Sequence, residues 1–310
     1  MRLTRRDVWV GMLLYPRHTL PTAVAPVLVA VGLARSGGLF HWPAAVAAFV
    51  AGWMIQLGGV FTDNYANLSR HPDDAEHADF VHAVATGLIS LAEIRQAILF
   101  TYALGALSGA YLAWVGGVPA LAIGVASVLA SLAYSTGPFP LGDRALGDPL
   151  FFLFFGIVSV VGSYYVQAAA VLSPPFPLWP PMGSIAWPAF VASLPVGALT
   201  TNILVIDNIR DREYDRAKHE WTIAVLIGRR GSHVEYLALV ALAYAVPVAL
   251  WLAGAGPTML LPLVTLPYAI ATARRVLRAS SHEAMLPLTP QAGQVLLAFA
   301  VFFALGLAWH

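Results

Sequence analysis

The chain has 310 residues, of which 59% are hydrophobic and only 11% are charged, and its mean hydropathy is +0.73. Soluble domains carry about 25% charged residues, so this composition excludes an ordinary soluble protein and indicates a polytopic membrane protein. The formal net charge of +1 does not favour nucleic acid binding, and the absence of cysteine excludes disulfides, thiolate metal sites and a cysteine nucleophile.

The chain begins with the basic segment 1–6, which leads into an apolar segment with no clear cleavage site. We therefore expect no removable signal peptide. Apolar runs of about 18 residues or more then predict nine transmembrane helices. In chain order these are 19–36, 41–66, 96–115, 118–134, 149–171, 185–206, 234–254, 257–273 and 291–309. Only Gly116 and Gly117 separate the third helix from the fourth, so the count depends on that boundary.

The positive charges orient these helices. Every arginine and lysine except Arg35 falls on the side of the N-terminus, and so do the acidic residues. The positive-inside rule places that side in the cytoplasm. We therefore expect a cell (inner) membrane protein with a cytoplasmic N-terminus, an extracytoplasmic C-terminus and its chemistry on the cytoplasmic side. A single domain, 1–310, would carry a polar cap formed by the loops 67–95, 135–148 and 207–233.

A row of three aspartates, Asp207, Asp211 and Asp215, follows the sixth predicted helix. On a helix the spacing of four residues stacks them along one face, roughly 6 Å apart per step. Aspartates beside hydrocarbon are costly unless they are paired, hydrated or bound to metal. The row is therefore consistent with divalent cations, which usually arrive with phosphates. The alternative is a solvated face on which the neighbouring arginines pair with the aspartates.

A related polar segment ends the second predicted helix, where the sequence reads Asp63-Asn64-Tyr65-Ala66-Asn67. This segment and the aspartate row lie four helices apart, so both face the cytoplasm. Two polar helix ends on the same side of the membrane can close on one cavity.

These two motifs resemble those of the UbiA superfamily of intramembrane prenyltransferases, and most closely its 1,4-dihydroxy-2-naphthoate polyprenyltransferases of menaquinone synthesis. The segments 134–142, 144–148 and 154–167 resemble that branch as well, and 16–27 and 208–230 resemble segments of the family. The resemblance implies nine helices around a central cavity that opens to the cytoplasm. It also implies Mg2+-dependent transfer of a polyprenyl group from an allylic diphosphate to an aromatic quinone precursor, with 1,4-dihydroxy-2-naphthoate as the expected acceptor.

The first motif departs from the family pattern, which reads Asn-Asp-x-x-Asp with a further Asp. This chain has Asp63, Asn64 and Asn67, followed by Asp73. Asparagine offers an oxygen ligand without charge, so metal affinity should fall here unless Asp63, Asp73 or Asp74 compensates. After the second motif, His219 and Glu220 stand where the family has Gly-Lys.

The resemblance assigns roles to individual residues. We expect the catalytic and metal-binding set to hold two Mg2+ ions that bridge the diphosphate: Asp63, Asn67, Asp207, Asp211 and Asp215. We expect a second set to bind substrate: Asn64, with Arg210, Arg144 and Lys218 toward phosphate, and Tyr65, Tyr134 and Tyr164 toward the allylic cation, whose charge aromatic faces stabilise. Phe139 and Tyr165 are further aromatic candidates.

Other readings stay open. The acceptor can be homogentisate, 4-hydroxybenzoate or a glyceryl phosphate lipid, and the chain can be an isoprenoid-binding protein without catalysis. A cation transporter is a third class, although transporters favour charges at the bilayer midplane and here the charges cluster at one edge. The partners we expect are a polyprenyl diphosphate, an aromatic acceptor and the bilayer, with no nucleic acid and no evident obligate protein partner.

Overall fold

The computed structural model describes residues 4–7, 9, 19–70 and 83–310, without the side chains of Thr19, Asn67 and Arg70. Within these residues the regular elements are all helical. The main helices are α1 (Thr19–Ser36), α2 (Trp42–Arg70), α3 (Leu91–Ser135), α4 (Gly147–Phe151), α5 (Ser159–Leu172), α6 (Trp187–Ala217), α7 (Ile223–Leu250), α8 (Leu266–Arg278), α9 (His282–Met285) and α10 (Leu288–Ala308). A π-helical stretch, Phe152–Val158, joins α4 to α5, and a 3-10 helix, Pro257–Thr265, leads into α8.

The described helices confirm an all-α polytopic membrane protein. In this part of the chain seven helical segments are long and apolar enough to cross a bilayer, and Leu20–Ser36 is a shorter apolar helix. The count of nine spanning helices stays a prediction. One of the seven, α3, has 45 residues. A straight helix of that length would measure roughly 68 Å, about twice the hydrocarbon thickness of a bilayer.

Helix α3 folds back on itself at Gly117, which lies at the boundary between the predicted helices 96–115 and 118–134. The backbone of Gly117 leaves the helical region, with φ of 64°. The hydroxyls of Tyr102 and Ser131 are 2.9 Å apart although 29 residues separate them, so the two halves of α3 run antiparallel. A Cβ atom at residue 117 would lie 1.7 Å from the carbonyl oxygen of Pro177, and only glycine fits there.

Helix α6 lies at the centre of the fold. Its most apolar window is 78% buried, against 17–50% for the other six candidate spans. Small residues bring the neighbouring backbone close: a Cβ atom on Gly156 of the π-helical stretch would lie 2.5 Å from the Cα of Gly197. Aromatic side chains fill the core beside α6, where Tyr244 meets Phe299 edge to face with ring centroids 5.3 Å apart. The acidic row therefore lies at the end of the most deeply buried of the candidate spans.

The predicted boundaries of the polar segment after this helix were wrong. The prediction ended the sixth helix at 206 and assigned 207–233 to a loop, but α6 continues to Ala217 and α7 begins at Ile223, which leaves 218–222 as the connection. An ion pair between Asp207 and Arg210, three residues apart, supports the extra turns. The three aspartates thus lie on a helix, where a spacing of four residues places side chains on one face. Helix α2 likewise continues to Arg70, past its predicted end at 66.

Candidate active site

Residues of both polar motifs line one cavity of about 1300 Å3. Helix α2 contributes Asp63 and Asn64, and α6 contributes Asp207 and Arg210. The rest of the wall is mainly apolar and comes from both halves of α3 and from the segment around Phe154 and Phe155. One cavity therefore combines a charged end with a long hydrocarbon-like wall.

Arg210 holds two of the three aspartates. Its Nη1 donates to Oδ1 of Asp207 at 2.5 Å, and its Nε donates to Oδ1 of Asp211 at 2.7 Å, with a further bond from Nη2 to the same carboxylate. Asp207 also accepts a hydrogen bond from the Thr289 hydroxyl on α10 at 2.7 Å. Bonds between ionised partners are short and strong, so this network fixes the carboxylates. Arg210 therefore forms the arginine–aspartate pairs that the sequence analysis gave as the alternative to a metal site. Arg212 pairs with the exposed Glu213 instead.

Asp215 takes a different position. Its side chain is buried and accepts a hydrogen bond from the Thr222 hydroxyl at 3.0 Å, while its backbone carbonyl accepts from the amide of Glu220 at 2.9 Å. Like Asp211, it is not among the residues that line the cavity. These contacts close the connection 218–222, so the position of Asp215 favours a structural role over the predicted metal contact.

The loop 135–148 is tied to α6 and to the segment after it. Asn208 donates from Nδ2 to Oδ1 of the buried Asp148 at 3.1 Å, and the amide of Trp221 donates to the carbonyl of Asp143 at 2.7 Å. These bonds hold the start of α4 against the acidic end of α6. Tyr134, which precedes the loop, lines the cavity.

Two residues of the first motif line the cavity, and a third packs against the core. Asp63 and Asn64 face the cavity, whereas Tyr65 packs beside an apolar cluster that includes Phe61. The side chain of Asn67 lies outside the described part of the structure, as do Asp73 and Asp74, so their predicted contributions stay predictions.

Of the predicted aromatic residues, Tyr134 lines the cavity, with its ring centroid 5.8 Å from that of Phe151. Tyr164 is 6% exposed and belongs to the hydrophobic core, so packing accounts for its position. Tyr165 donates its hydroxyl proton to the carbonyl of Gly116 at 2.6 Å and so anchors the fold-back of α3. The sequence did not distinguish these three positions.

The two weaker phosphate candidates lie elsewhere. Arg144 is exposed and its guanidinium carbon is 4.7 Å from the centre of the Phe139 ring, which is itself exposed. Among the described residues, neither Arg144 nor Lys218 lines the cavity. Arg210 is the predicted cation that the structure places there.

Among the cavity residues that the sequence analysis missed, three carry an amide, an imidazole or a carboxyl group. Gln56 lies inside an otherwise apolar span, and an isolated amide in such a helix is itself a signal. His282 lies on the short helix α9, with Nδ1 3.5 Å from Oδ1 of Asp211. Asp7 lies outside the spans, where hydrogen bonds from the hydroxyl and the amide of Thr4 lower the pKa of its carboxyl group. No motif in the sequence indicated the last two.

The oxygen donors at the cavity fit a hard cation. Within the described residues, no three histidine, aspartate or glutamate side chains surround a common metal position. The cavity does, however, present carboxylates from Asp63 and Asp207 and the amide of Asn64. Mg2+ is usually bound through one or two carboxylates, with waters and substrate phosphates as the other ligands, and this donor set meets that need.

The UbiA prenyltransferase family model matches residues 23–289. The chain belongs to the UbiA prenyltransferase family. It is similar to the 1,4-dihydroxy-2-naphthoate octaprenyltransferase of Mycobacterium tuberculosis, with 28% identity over 94% of each chain. Two solved structures share its fold. One is a UbiA homologue from Aeropyrum pernix K1 in the apo state, with a TM-score of 0.67 and 20% identity over 92% of this chain and 96% of that chain. The other is a UbiA homologue from Archaeoglobus fulgidus bound to DMAPP and Mg2+, with a TM-score of 0.57 and 14% identity over 94% of this chain and 98% of that chain.

Membership in this family settles the class of protein. The chain is a prenyltransferase that several helices embed in a membrane, and the cation transporter left open by the sequence is set aside.

Proposed function

We propose that this UbiA prenyltransferase transfers a polyprenyl group from its diphosphate to 1,4-dihydroxy-2-naphthoate, with loss of the acceptor carboxylate, in menaquinone biosynthesis. The observation that carries the proposal is the single cavity in which Asp63, Asn64 and Asp207 adjoin an apolar wall. Such a cavity suits a substrate with a charged head and a long hydrocarbon tail. The Mycobacterium tuberculosis relative, whose name states this acceptor, supports the choice of aromatic substrate.

The acidic helix ends would hold the metal. Asp63, Asn67, Asp207 and Asp211 are the residues that we assign to Mg2+, as two ions. We leave out Asp215 because its partner Thr222 does not line the cavity, whereas the buried Asp211 bonds to Arg210, which does. Bound Mg2+ would neutralise the charge that develops on the diphosphate as the C–O bond breaks. The Archaeoglobus fulgidus homologue, bound to DMAPP and Mg2+, supports this assignment.

The other cavity residues would bind and orient the substrates. The guanidinium of Arg210 presents N–H groups that match phosphate geometry, and it already sits between two carboxylates at the charged end. The ring of Tyr134 offers a π face to the allylic cation without providing a strong nucleophile. The apolar wall would enclose the prenyl chain and exclude water from the cation.

The charge distribution supports a location for the reaction. Arginines and lysines concentrate on the side of the two motifs, and this supports a cytoplasmic active site, a cytoplasmic N-terminus and an inner-membrane location. The acceptor would then reach the cavity from the cytoplasm and the prenyl diphosphate from the bilayer.

The test uses the purified protein with geranylgeranyl diphosphate, MgCl2 and separate acceptors: 1,4-dihydroxy-2-naphthoate, homogentisate, 4-hydroxybenzoate and glyceryl phosphate. Mass spectrometry of the lipid extract should find a prenylated, decarboxylated naphthalenediol and no other product. A product from a different acceptor would refute the naphthoate assignment. No product from any acceptor would refute the proposed reaction.

A further inference from the structure

The hydroxyl of Thr289 bonds to the acidic row instead of to its own helix. Thr289 is the second residue of α10, and its Oγ1 donates to Oδ1 of Asp207 on α6 at 2.7 Å, although 82 residues separate the two. The buried Thr272, in contrast, donates to the carbonyl of Tyr268 in its own helix α8 at 3.0 Å. The hydroxyl of Thr289 therefore links α10 to the carboxylate of Asp207.

Burial makes this link rigid. Thr289 is 2% exposed, and its neighbours Leu288 and Ala292 belong to the same hydrophobic core as Ile206 and Ile209 of α6. A hydrogen bond to an ionised partner is strong, and it is stronger where the surroundings exclude water. The packed start of α10 therefore fixes the position of one oxygen of Asp207.

Two donors share that oxygen and leave the other one to a ligand. Nη1 of Arg210 also donates to Oδ1 of Asp207, at 2.5 Å. A carboxylate oxygen has about two lone-pair sites, so Thr289 and Arg210 together occupy Oδ1. Oδ2 accepts no hydrogen bond from the described residues, and it is not one of their buried atoms without a partner, so it retains accessible surface. Because Asp207 lines the cavity, Oδ2 is the oxygen that remains for a bound cation.

We propose that Thr289 is a positioning residue: by holding Oδ1 of Asp207, it directs Oδ2 toward Mg2+. This inference rests on the proposed function, which takes Asp207 as a ligand of the metal. Thr289 acts through Asp207 and touches neither the metal nor the substrate. Without the hydroxyl, the carboxylate can rotate about its Cβ–Cγ bond, with Arg210 as its remaining partner. Loss of a hydrogen bond that orients a metal ligand lowers metal affinity by about 10–100-fold.

The experiment measures the binding of geranylgeranyl diphosphate by isothermal titration calorimetry over a series of MgCl2 concentrations, without an aromatic acceptor so that no prenyl transfer occurs. In Thr289→Val, which replaces the hydroxyl by a methyl group, the MgCl2 concentration that gives half-maximal affinity should rise about 10–100-fold. Saturating MgCl2 should return the dissociation constant to its wild-type value, because the contacts of the diphosphate are unchanged. Thr289→Ser keeps the hydroxyl and should restore the wild-type MgCl2 requirement.

Two further variants separate positioning from folding. Thr272→Val is the matched control, because Thr272 is 1% exposed and its hydroxyl donates within α8, so the MgCl2 requirement should stay unchanged. Thr289→Ala removes the hydroxyl without placing a methyl group against the carboxylate, and it replaces Thr289→Val in the measurement if that variant does not fold.

The outcomes distinguish this inference from the proposed function. Mg2+-dependent binding in wild type, with an unchanged MgCl2 requirement in the variant that lacks the hydroxyl, would overturn the role of Thr289 alone. An equal rise in Thr289→Ser or in Thr272→Val would also overturn it, as would weaker binding that saturating MgCl2 does not restore. If wild type binds the diphosphate equally well in EDTA, the proposed metal role of Asp207 fails, and the role of Thr289 fails with it.

Discussion

Replacement of Asp207 by asparagine separates the charge of this residue from its shape. The carboxylate accepts bonds from Arg210 and Thr289, and its side chain is 21% exposed. Arg210 and Thr289 bond to the same oxygen of Asp207, which asparagine retains, and Arg210 keeps its two bonds to Asp211. The variant therefore loses the charge assistance of one hydrogen bond, which costs at most about 1.5–3 kcal/mol of stability and leaves the protein folded.

The expected effect on activity is much larger than the effect on folding. If Asp207 helps to hold Mg2+ against the leaving diphosphate, its charge acts where negative charge develops. Loss of one such preorganised electrostatic group lowers the rate by about 10²–10³-fold. We therefore expect Asp207→Asn to lose at least two orders of magnitude in kcat/KM while its thermal unfolding midpoint falls only modestly.

The assay measures prenylated product by mass spectrometry at saturating MgCl2, with thermal unfolding recorded on the same samples. Glu213→Gln is the matched control, since Glu213 lies on the same helix but is 69% exposed and pairs with Arg212. It should retain wild-type turnover. Retention of more than a tenth of wild-type activity by Asp207→Asn, or an equal loss in the control, would refute the metal-binding role.

Three further predictions concern Arg210, Asn67 and Gly117. Arg210→Gln removes the cation between two carboxylates, which should lower the free energy of unfolding by about 3 kcal/mol. Because Mg2+ can replace the lost positive charge, MgCl2 should restore part of the unfolding temperature. Identical unfolding midpoints in MgCl2 and in EDTA would contradict this. Asn67→Asp restores the family carboxylate and should preserve or raise turnover, and a sharp loss would show that the amide has its own function. Gly117→Ala places a Cβ against the carbonyl of Pro177 at a positive φ, which should cost more than the about 1–3 kcal/mol of the strained backbone alone, whereas Gly109→Ala meets open space inside a helix and should leave the unfolding midpoint unchanged or raise it.

The sequence was sufficient for the helical framework, because apolar runs identify spans and two glycines identify a fold-back. The spacing of the acidic row indicated a common helix face, but the prediction assigned 207–233 to a loop, and of the three aspartates Asp207 lines the cavity. The helix ends were wrong because hydropathy falls at the membrane edge while helical hydrogen bonding continues. Ion pairs such as Asp207 with Arg210 extend α6 beyond the apolar run.

The direction of individual side chains was not predictable. Tyr134 faces the cavity and Tyr164 the core, and this difference depends on how α3 and α5 pack, not on any local pattern. The role of Asp215 depends on its contact with Thr222, and the orientation of Asp207 depends on Thr289 from another helix. Such contacts join residues across the fold, so a single sequence does not show them.

In the proposed mechanism, the ends of α2 and α6 together bind one diphosphate through Mg2+. The most direct measurement is the dissociation constant of geranylgeranyl thiolodiphosphate, a poorly reactive analogue, for wild type, Asp63→Asn and Asp207→Asn, with MgCl2 and with EDTA. We predict tight binding only for wild type with Mg2+, and a large loss in both variants. Binding that is equally tight in EDTA, or that depends on only one of the two helix ends, would contradict the account.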